Sequence, residues 1–374
     1  PALGENVVLH DFGFFKVTAA RVVAMASIVF LTWVNTRGLH GGKIVQDIFT
    51  LAKTAALLGL IVLGLAVGRN AQAIAANFSH FWQAAWTHVQ SGAISSIEPL
   101  AGLALLGALG ASLVGSLFSC DAWNNITFTA GEVVRPKRTI PLSLALGTGI
   151  VVMLYLLANV AYIQILPLRG TPGAPDILGR GIQFATSDRV GVAAATMIFG
   201  ASAAVIMAAL IMVSTFGCNN GLILAGARVY YAMARDRLFF ARAGALNDKS
   251  VPGWALGAQA VWASLLCLSG TYSNLLDYVV FAVLLFYIFT VWGIFILRRT
   301  RPDAERPYRA IGYPVVPALY VLAAAAISVD LLITKPLYTW PGLGIVLLGI
   351  PVYLLWTRFA RGGAPPEEET RAEG

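Results

Sequence analysis

The chain contains nine runs of predominantly apolar residues, each close to the length that an α-helix needs to cross a membrane. A helix rises 1.5 Å per residue, so about 20 residues span the roughly 30 Å hydrocarbon core of a bilayer. Hydrophobic residues make up 58% of the 374 residues and charged residues only 12%, unlike a soluble domain. We therefore predict an all-α integral membrane protein with about nine transmembrane helices. The runs cover residues 17–35, 44–68, 100–122, 142–166, 192–216, 254–270, 274–297, 315–333 and 341–358.

Positive charge is concentrated in alternate connections between these runs. One side of the membrane receives 18 Lys and Arg residues and the other receives seven, while Lys53 lies inside a run. Cytoplasmic loops carry the basic excess, so we predict a cytoplasmic C-terminus and an external residue 1. The net charge of +8 is therefore explained by basic residues in the cytoplasmic loops, which orient the protein in the membrane. We predict the lipid bilayer as a partner and no nucleic acid.

Cysteine and histidine are not arranged for catalysis or metal binding. Cys120, Cys218 and Cys267 show no Cys-x-x-Cys or Cys/His spacing, and the four histidines fall in connections. The apolar runs contain no HExxH or GxSxG motif. We predict that the protein is not an enzyme and needs no metal and no cofactor.

The sequence LVGSLFSCDAWNNITFTAGEVVRP, residues 113–136, places polar groups at membrane depth. An apolar run leads without interruption into Asp121 and the amides of Asn124 and Asn125. Because an unsatisfied polar group in hydrocarbon costs several kcal/mol, these side chains must face a protein interior, a cavity or a ligand. We predict a broken helix whose first half ends near Phe118 and whose second half begins near Asn125, with free backbone groups between them for a small zwitterion or ion. The alternative is a helix that ends early, with Asp121 at the membrane interface.

Four motifs resemble segments of the amino acid/polyamine/organocation permeases, especially the L-type amino-acid transporters and their bacterial relatives. The segment SLFSCDAWNNITFTAGEVVRPKRTIPLSL resembles the sixth helix and the loop after it, and VQDIFTLAKTAALLGLIVLG resembles the fifth helix. The segment STFGCNNGLILAGARVYYAMARD is similar to the eighth helix, and RRTRPDAERPYRAIGYPVVP to the loop between helices ten and eleven. The resemblance covers nearly the whole chain in order.

This resemblance implies a transporter of twelve helices built from two inverted five-helix repeats. The chain would supply helices four to twelve, as a single transporter domain over residues 1–358 that is incomplete at its N-terminus. The odd number of missing helices agrees with the external residue 1 expected from charge. The glycine-rich contact that the family's first helix makes with the substrate carboxylate has no counterpart here. Residues 359–374 are polar and aperiodic, which predicts a disordered cytoplasmic tail.

The resemblance also implies a substrate site around the break. In this family an aromatic residue closes the pocket, and the carbonyls of the unwound segment after it receive the substrate's ammonium. Phe118 matches the aromatic residue, residues 119–122 match the unwound segment, and Trp123 and Asn124 match the two positions that follow. These residues are Phe118, Ser119, Cys120, Asp121, Ala122, Trp123 and Asn124. Asp121 places a carboxylate beside the ammonium, although a structural pairing with a buried donor is an alternative role. Trp123 has packing as its alternative role.

Lys53 is a charge inside a predicted helix, about 13 Å beyond Ile44 at 1.5 Å per residue. By resemblance, its ammonium occupies the place where sodium-coupled relatives bind an ion, near Ser214 and Thr215 on the eighth helix. This implies transport without sodium, by exchange or with protons. Snorkelling of the lysine to the membrane surface is the alternative.

Two connections are expected to be structured. Within residues 69–99, the spacing of Phe78, Phe81, Trp82 and Trp86 suits an amphipathic interfacial helix, with an aromatic belt at the membrane surface as the preferred interpretation. Residues 219–242 are predicted to continue helically from the preceding membrane span.

The function indicated is a sodium-independent amino-acid permease in the cell membrane. The alternatives are a truncated membrane scaffold that does not transport, and a permease for a polyamine or another organic cation. An accessory subunit is a further candidate partner that the sequence does not identify.

The charge bias predicts that Thr139 is cytoplasmic and Thr171 external. Single cysteines at these positions, in a protein without native cysteines, should react differently with a membrane-impermeant thiol reagent added outside. Labelling of position 171 alone is the expected result. Equal labelling at both positions would contradict the orientation.

Overall fold

The computed structural model describes residues 7–11, 16–79, 81–269, 272–306 and 308–360. Two antiparallel hairpins pair β1 (Val8–Asp11) with β2 (Lys16–Thr18) and β3 (Ala85–Gln90) with β4 (Ala93–Pro99). Short 3₁₀ helices cover Asn125–Glu132, Thr186–Asp188, Gly200–Ser202 and Ala241–Gly244. The α-helices are α1 (Ala19–Thr36), α2 (Leu39–Ala66), α3 (Ala71–Ser79), α4 (Gly102–Ser119), α5 (Pro136–Ile165), α6 (Ile177–Arg180), α7 (Val190–Phe199), α8 (Ala203–Arg235), α9 (Gly253–Ser269), α10 (Tyr272–Thr300), α11 (Val315–Thr334) and α12 (Pro336–Ala360).

Eight of the nine predicted runs form helical segments long and apolar enough to cross a membrane within the described ranges. The remaining run is the shorter apolar helix α9. Many large apolar side chains point outward, as the hydrocarbon of a bilayer requires, and few residues of each span are buried inside the protein. The all-α, multi-pass membrane class predicted from the sequence is confirmed. The predicted disordered tail lies mostly outside the described residues, which end at residue 360.

Helices α7 and α8 together form one apolar segment of 46 residues, Val190–Arg235, that is interrupted once. Gly200 has a φ of +61° at the break, and the chain passes through the 3₁₀ turn before α8 begins. A left-handed backbone angle favours glycine because glycine has no Cβ. Helix α8 then runs for 33 residues, which confirms that helix continues beyond residue 219 as far as Arg235.

The connection between α2 and α4 contains a short helix followed by a hairpin. Phe78 lies in α3, but the helix ends at Ser79, Trp82 lies in a turn, and Trp86 lies in β3. The β3–β4 hairpin turns at Ser91 and Gly92, with φ angles of +51° and +79°. Positive φ at both turn positions matches the twist of the paired strands. An amphipathic helix, which is the less favoured of the two interpretations of the aromatic spacing, is therefore wrong after residue 79, because hairpin pairing overrides that spacing.

Five buried apolar clusters lie between the described helices, and the two largest have seven and six buried members. The first joins α1, α8, α9 and the segment around Ala243, and its centre includes Leu31, Ala227 and Leu256. The second joins α4, α10 and α11 around Val114 and the fully buried Phe281. Close packing in the second cluster fixes the C-terminal part of α4 and the face of α10 that lies beside it.

Helix α2 packs closely against α8 and, near its start, against α1. A Cβ on Gly217 of α8 would lie 2.4 Å from the Cβ of Phe49 on α2, and a Cβ on Gly42 of α2 would lie 2.5 Å from Oδ1 of Asn35 on α1. The contact pairs Gly42 with the region of Asn220, and Phe49 with Gly217, so the two helices run antiparallel.

A network of fully buried amides crosses this contact. Asn35 on α1 donates from Nδ2 to Oδ1 of Asn220 on α8, at 2.9 Å. Asn220 in turn donates to the carbonyl of Gly42 at 2.9 Å and to Oε1 of Gln46 at 3.3 Å. Three helices are thereby tied by polar contacts that water and lipid cannot replace.

Asn220→Ala should lower the free energy of unfolding by about 1 to 3 kcal/mol, because it leaves buried partners unsatisfied. The measurement is thermal unfolding of the purified protein in detergent. Asn159→Ala is the matched control, since Asn159 is exposed and its amide donates to the carbonyl of Tyr155 on the same helix. An equal effect of the two substitutions would refute the importance of the network.

Candidate functional site

The helix break lies where the sequence places it. Helix α4 ends at Ser119, residues 120–124 form turns, and the 3₁₀ helix begins at Asn125. The backbone N–H groups of Cys120 and Asp121 still bond back to α4, at 3.1 Å each. The carbonyl oxygens of Cys120 and Asp121 accept no hydrogen bond from the described part of the chain. The segment therefore offers acceptors to a ligand.

Ala122 makes the sharpest change of direction in this segment. Its φ is +63°, in the left-handed region that costs a residue with a Cβ roughly 1 to 2 kcal/mol. The carbonyl of Ala122 accepts the N–H of Asn125 at 3.1 Å, which starts the 3₁₀ helix. A small side chain at this position limits the strain, and the turn aims Asp121 and Asn124 at α10.

Tyr287 on α10 joins the two polar side chains of the turn. Its hydroxyl donates to Oδ1 of Asp121 at 2.6 Å and lies 3.2 Å from Oδ1 of Asn124. The ring of Tyr287 is 5.8 Å from that of Trp123, between centroids. No basic side chain forms an ion pair with Asp121 among the described residues. A neutral phenol is therefore the hydrogen-bond partner of this carboxylate.

Tyr155 on α5 holds the upstream side of the break. Its hydroxyl donates to the carbonyl of Ser119 at 3.0 Å, and the Ser119 hydroxyl donates to the carbonyl of Ser116 at 2.9 Å. Of the predicted ammonium acceptors, the Ser119 carbonyl thus already has one protein donor. Cys120 is exposed, with a free thiol.

The far end of the 3₁₀ helix is fixed by an ion pair. Arg228 on α8 donates from Nε and Nη2 to the two carboxylate oxygens of Glu132, at 2.9 Å each. Only 7% of the Arg228 side chain is exposed, whereas Glu132 is 37% exposed. A two-point contact of this kind fixes direction as well as distance. The segment between α4 and α5 is thus held at Ser119, at Asp121 and at Glu132.

The predicted residues fall into two separate groups. Asp121, Trp123 and Asn124 meet Tyr287, and half-buried Phe118 packs against the cluster of α4, α10 and α11. Lys53 lies instead on α2, and Ser214 and Thr215 lie on α8; Lys53 and Ser214 are half-buried, whereas Thr215 is exposed.

The register of α2 against α8 places Lys53 at the level of Ser214. Gly42 and Gln46 of α2 contact Asn220 of α8, and Phe49 contacts Gly217. Because the helices are antiparallel, Lys53, one turn after Phe49, is level with the turn of α8 that precedes Gly217. Lys53 is half-buried and forms no ion pair with a described residue. Thr215 donates its hydroxyl to carbonyls of its own helix.

Three polar residues of the membrane spans were not predicted as site residues. Tyr287 and Tyr155 are the hydroxyl donors of the break, and their only sequence signal is a tyrosine within an apolar span. Asp330 on α11 lies against Gly110 of α4, where a Cβ would come within 2.2 Å of its Oδ2. That oxygen is buried and has no hydrogen-bond partner among the described residues.

A cavity of about 330 Å³ lies away from the break. It is lined by the β3–β4 hairpin, the start of α4 and the chain after α5, including Gln83, Arg169 and Gln183. Arg169 donates to the carbonyl of Gln83 at 3.2 Å. None of the residues 118–124 borders this cavity.

Comparison with known proteins gives a consistent result. A family model described as amino acid permease matches residues 4–355. The serine/threonine exchanger SteT of Bacillus subtilis (strain 168) is 28% identical over 337 residues, which are 89% of this chain and 69% of the relative. The b(0,+)-type amino acid transporter 1 of Homo sapiens is 27% identical over 92% of this chain and 64% of its own length.

The large neutral amino acids transporter small subunit 2 of Homo sapiens is 30% identical over 339 residues. These residues are 90% of this chain and 57% of the relative. The chain therefore spans between 57% and 69% of the length of these three relatives.

Proposed function

The chain belongs to the amino acid permease family, and we propose that it forms the larger part of a sodium-independent amino-acid permease of the cell membrane. The family is one of transporters rather than enzymes. The relatives are named as transporters or exchangers of amino acids, among them serine, threonine and large neutral amino acids. We further propose that the protein works by exchange or with protons, with its C-terminus in the cytoplasm.

The contact of Tyr287 with Asp121 and Asn124 carries the proposal. It places a carboxylate and an amide in one interruption of an apolar helix, beside backbone carbonyls that have no hydrogen-bond donor in the described part of the chain. In hydrocarbon such groups are stable only with partners, and a zwitterion supplies both signs of charge. The ammonium of the substrate binds at Asp121 and the adjacent carbonyls. Phe118 closes the pocket beside it.

The absence of sodium coupling rests on Lys53. The packing of α2 against α8 supports a position of Lys53 level with Ser214. No described Asp or Glu forms an ion pair with Lys53. An ammonium at this point supplies the positive charge that a bound sodium ion would otherwise supply. Ser214 then provides a hydroxyl group to it, whereas the hydroxyl of the exposed Thr215 donates to carbonyls of its own helix.

A partner protein is a secondary part of the proposal. One relative is named as a small subunit, which implies a larger companion for that protein. The β3–β4 hairpin, which is largely exposed and lies on the side assigned as external, is a candidate surface for such contact.

Asp121→Asn should weaken amino-acid uptake about tenfold or more, because the neutral amide cannot pair with the substrate's ammonium. Uptake of labelled L-serine and L-leucine by the complete gene product in proteoliposomes measures this. Methyl esters and N-acetyl derivatives of the two amino acids should compete poorly with the parent compounds. Equal competition by the blocked forms would show that the main-chain groups are not recognised.

Lys53→Ala should abolish uptake while leaving membrane insertion and detergent stability unchanged, and sodium should not stimulate the parent protein. Lys43→Ala is the control, because Lys43 lies near the start of α2 and is exposed. Full uptake by the Lys53→Ala protein would indicate that the lysine side chain extends to the membrane surface and that its ammonium does not replace a bound sodium ion.

A further inference from the structure

Four aromatic rings meet where the end of α12 reaches the connection between α8 and α9. The ring of Phe240 lies 5.0 Å from that of Trp356 on α12, between centroids. It also lies 5.1 Å from the ring of Phe239 and 6.1 Å from that of Trp254 on α9. The indole N–H of Trp356 donates to the carbonyl of Arg237 at 3.0 Å. We call these four rings the aromatic junction, because they join α9, α12 and the connection after α8.

The aromatic junction lies level with the end of a membrane span. The apolar span of α12 covers Thr339–Arg358, so Trp356 lies two residues before its end. Phe240 is 53% exposed and Trp254 is 40% exposed, although each contacts the other. Tryptophan is favoured where the hydrocarbon of a bilayer meets the lipid headgroups, because its ring is apolar and its N–H is polar. The junction therefore presents apolar surface at the level of the headgroups.

Exposed arginines flank the aromatic junction. Three lie within five residues of Phe240 along the chain and one follows Trp356 by two residues; they are Arg235, Arg237, Arg242 and Arg358. None of the four forms an ion pair with a described residue. Asp236, the acidic residue within this stretch, is exposed and forms no ion pair with a described residue either. The four guanidinium groups are therefore available to a ligand.

Some other arginines on this side of the protein have partners within it. Arg228 pairs with Glu132, and the guanidinium of Arg298 lies 3.6 Å from the centroid of the Tyr313 ring. The end of a helix attracts a cation, which accounts in part for Arg235 in the last turn of α8. That attraction leaves most of the five N–H donors of a guanidinium unused.

We propose that the aromatic junction and the four arginines form a binding site for an anionic phospholipid. The phosphate of a lipid headgroup accepts hydrogen bonds from a guanidinium at two points, and an acyl chain fits against Phe240 and Trp254. The cytoplasmic leaflet carries the negative surface potential, and the charge bias assigns this end of the protein to the cytoplasm. The site includes none of the residues at the helix break, so it goes beyond the proposed function.

The charge at this site selects between lipid headgroups. Four arginines and one aspartate leave an excess of three positive charges. A phosphatidylcholine headgroup carries a positive charge of its own, whereas phosphatidylglycerol has a net negative charge. The site should therefore prefer phosphatidylglycerol, and added salt should weaken this preference by screening the exposed charges.

The experiment measures lipid binding to the complete gene product, in a neutral detergent, by native mass spectrometry. Phosphatidylglycerol and phosphatidylcholine with the same acyl chains are titrated separately, and the parent should bind the first at least about tenfold more tightly. Arg237→Gln/Arg242→Gln should reduce this preference to about threefold or less, because it removes two of the charges. Arg138→Gln/Arg299→Gln is the matched control, since these two arginines are also exposed and are assigned to the same side.

The control separates a site from general attraction to a basic surface. An unchanged preference in Arg138→Gln/Arg299→Gln is the expected result, and a loss equal to that of the first variant would overturn the proposal. Equal binding of the two lipids by the parent protein would also overturn it. If the first variant does not fold, Arg235→Gln/Arg358→Gln provides the same test, with the same loss of preference expected.

Two further measurements distinguish the lipid from other sources of negative charge. Glycerol phosphate has the phosphate group without acyl chains, so its displacement of phosphatidylglycerol at equal concentration would indicate a site for free phosphate and overturn the proposal. The chain itself supplies Glu367, Glu368 and Glu369 shortly after α12. Joint replacement of these three residues by Gln should leave the lipid preference unchanged. A preference that appears only after this replacement would assign the arginines to the acidic residues of the chain and would likewise reject the lipid site.

Discussion

A backbone inside a membrane must bond its own N–H and C=O groups, because hydrocarbon offers no substitute for water. The apolar spans of this chain satisfy that condition by being helical, apart from short breaks near Gly200 and between α4 and α5. The second break has polar side chains as well as two carbonyls, of Cys120 and Asp121, that accept no hydrogen bond from any described residue. Tyr155, Tyr287 and Arg228 reach it from α5, α10 and α8. The three helices thus hold an irregular segment that would not be stable alone.

The interior polar contacts divide into two kinds. The amide network of Asn35 and Asn220, and the pair of Arg228 with Glu132, are largely satisfied and join elements far apart in the chain. Asp121 has a neutral hydroxyl, that of Tyr287, as its hydrogen-bond partner. Neither Asp121 nor Lys53 forms an ion pair with a described residue. Groups of the first kind stabilise the fold, whereas those of the second kind can still gain energy from a ligand.

Much of the architecture follows from local sequence. The helix lengths were predictable because each apolar run directly gives the extent of one helix. The end of α4 was predictable because polar residues follow Phe118 immediately in the sequence. The β3–β4 hairpin was not, because its signal is only the Ser91-Gly92 turn, whereas the nearby aromatic residues have helical spacing. At the site, the sequence identifies Asp121 and Asn124. It does not identify Tyr287 as their partner, since they are separated from it by more than 160 residues and depend on helix packing.

Helix α8 has a mechanical property that follows from its length. Its 33 residues extend for about 50 Å, so about 20 Å project beyond a 30 Å hydrocarbon core. A tilt of about 6° at the Gly200 end would move the opposite end by about 5 Å, as simple trigonometry on that length gives. Arg228 lies toward that opposite end, with Glu132 attached. Any tilt of α8 about its Gly200 end would therefore displace the 3₁₀ segment, because Arg228 joins the helix to Glu132.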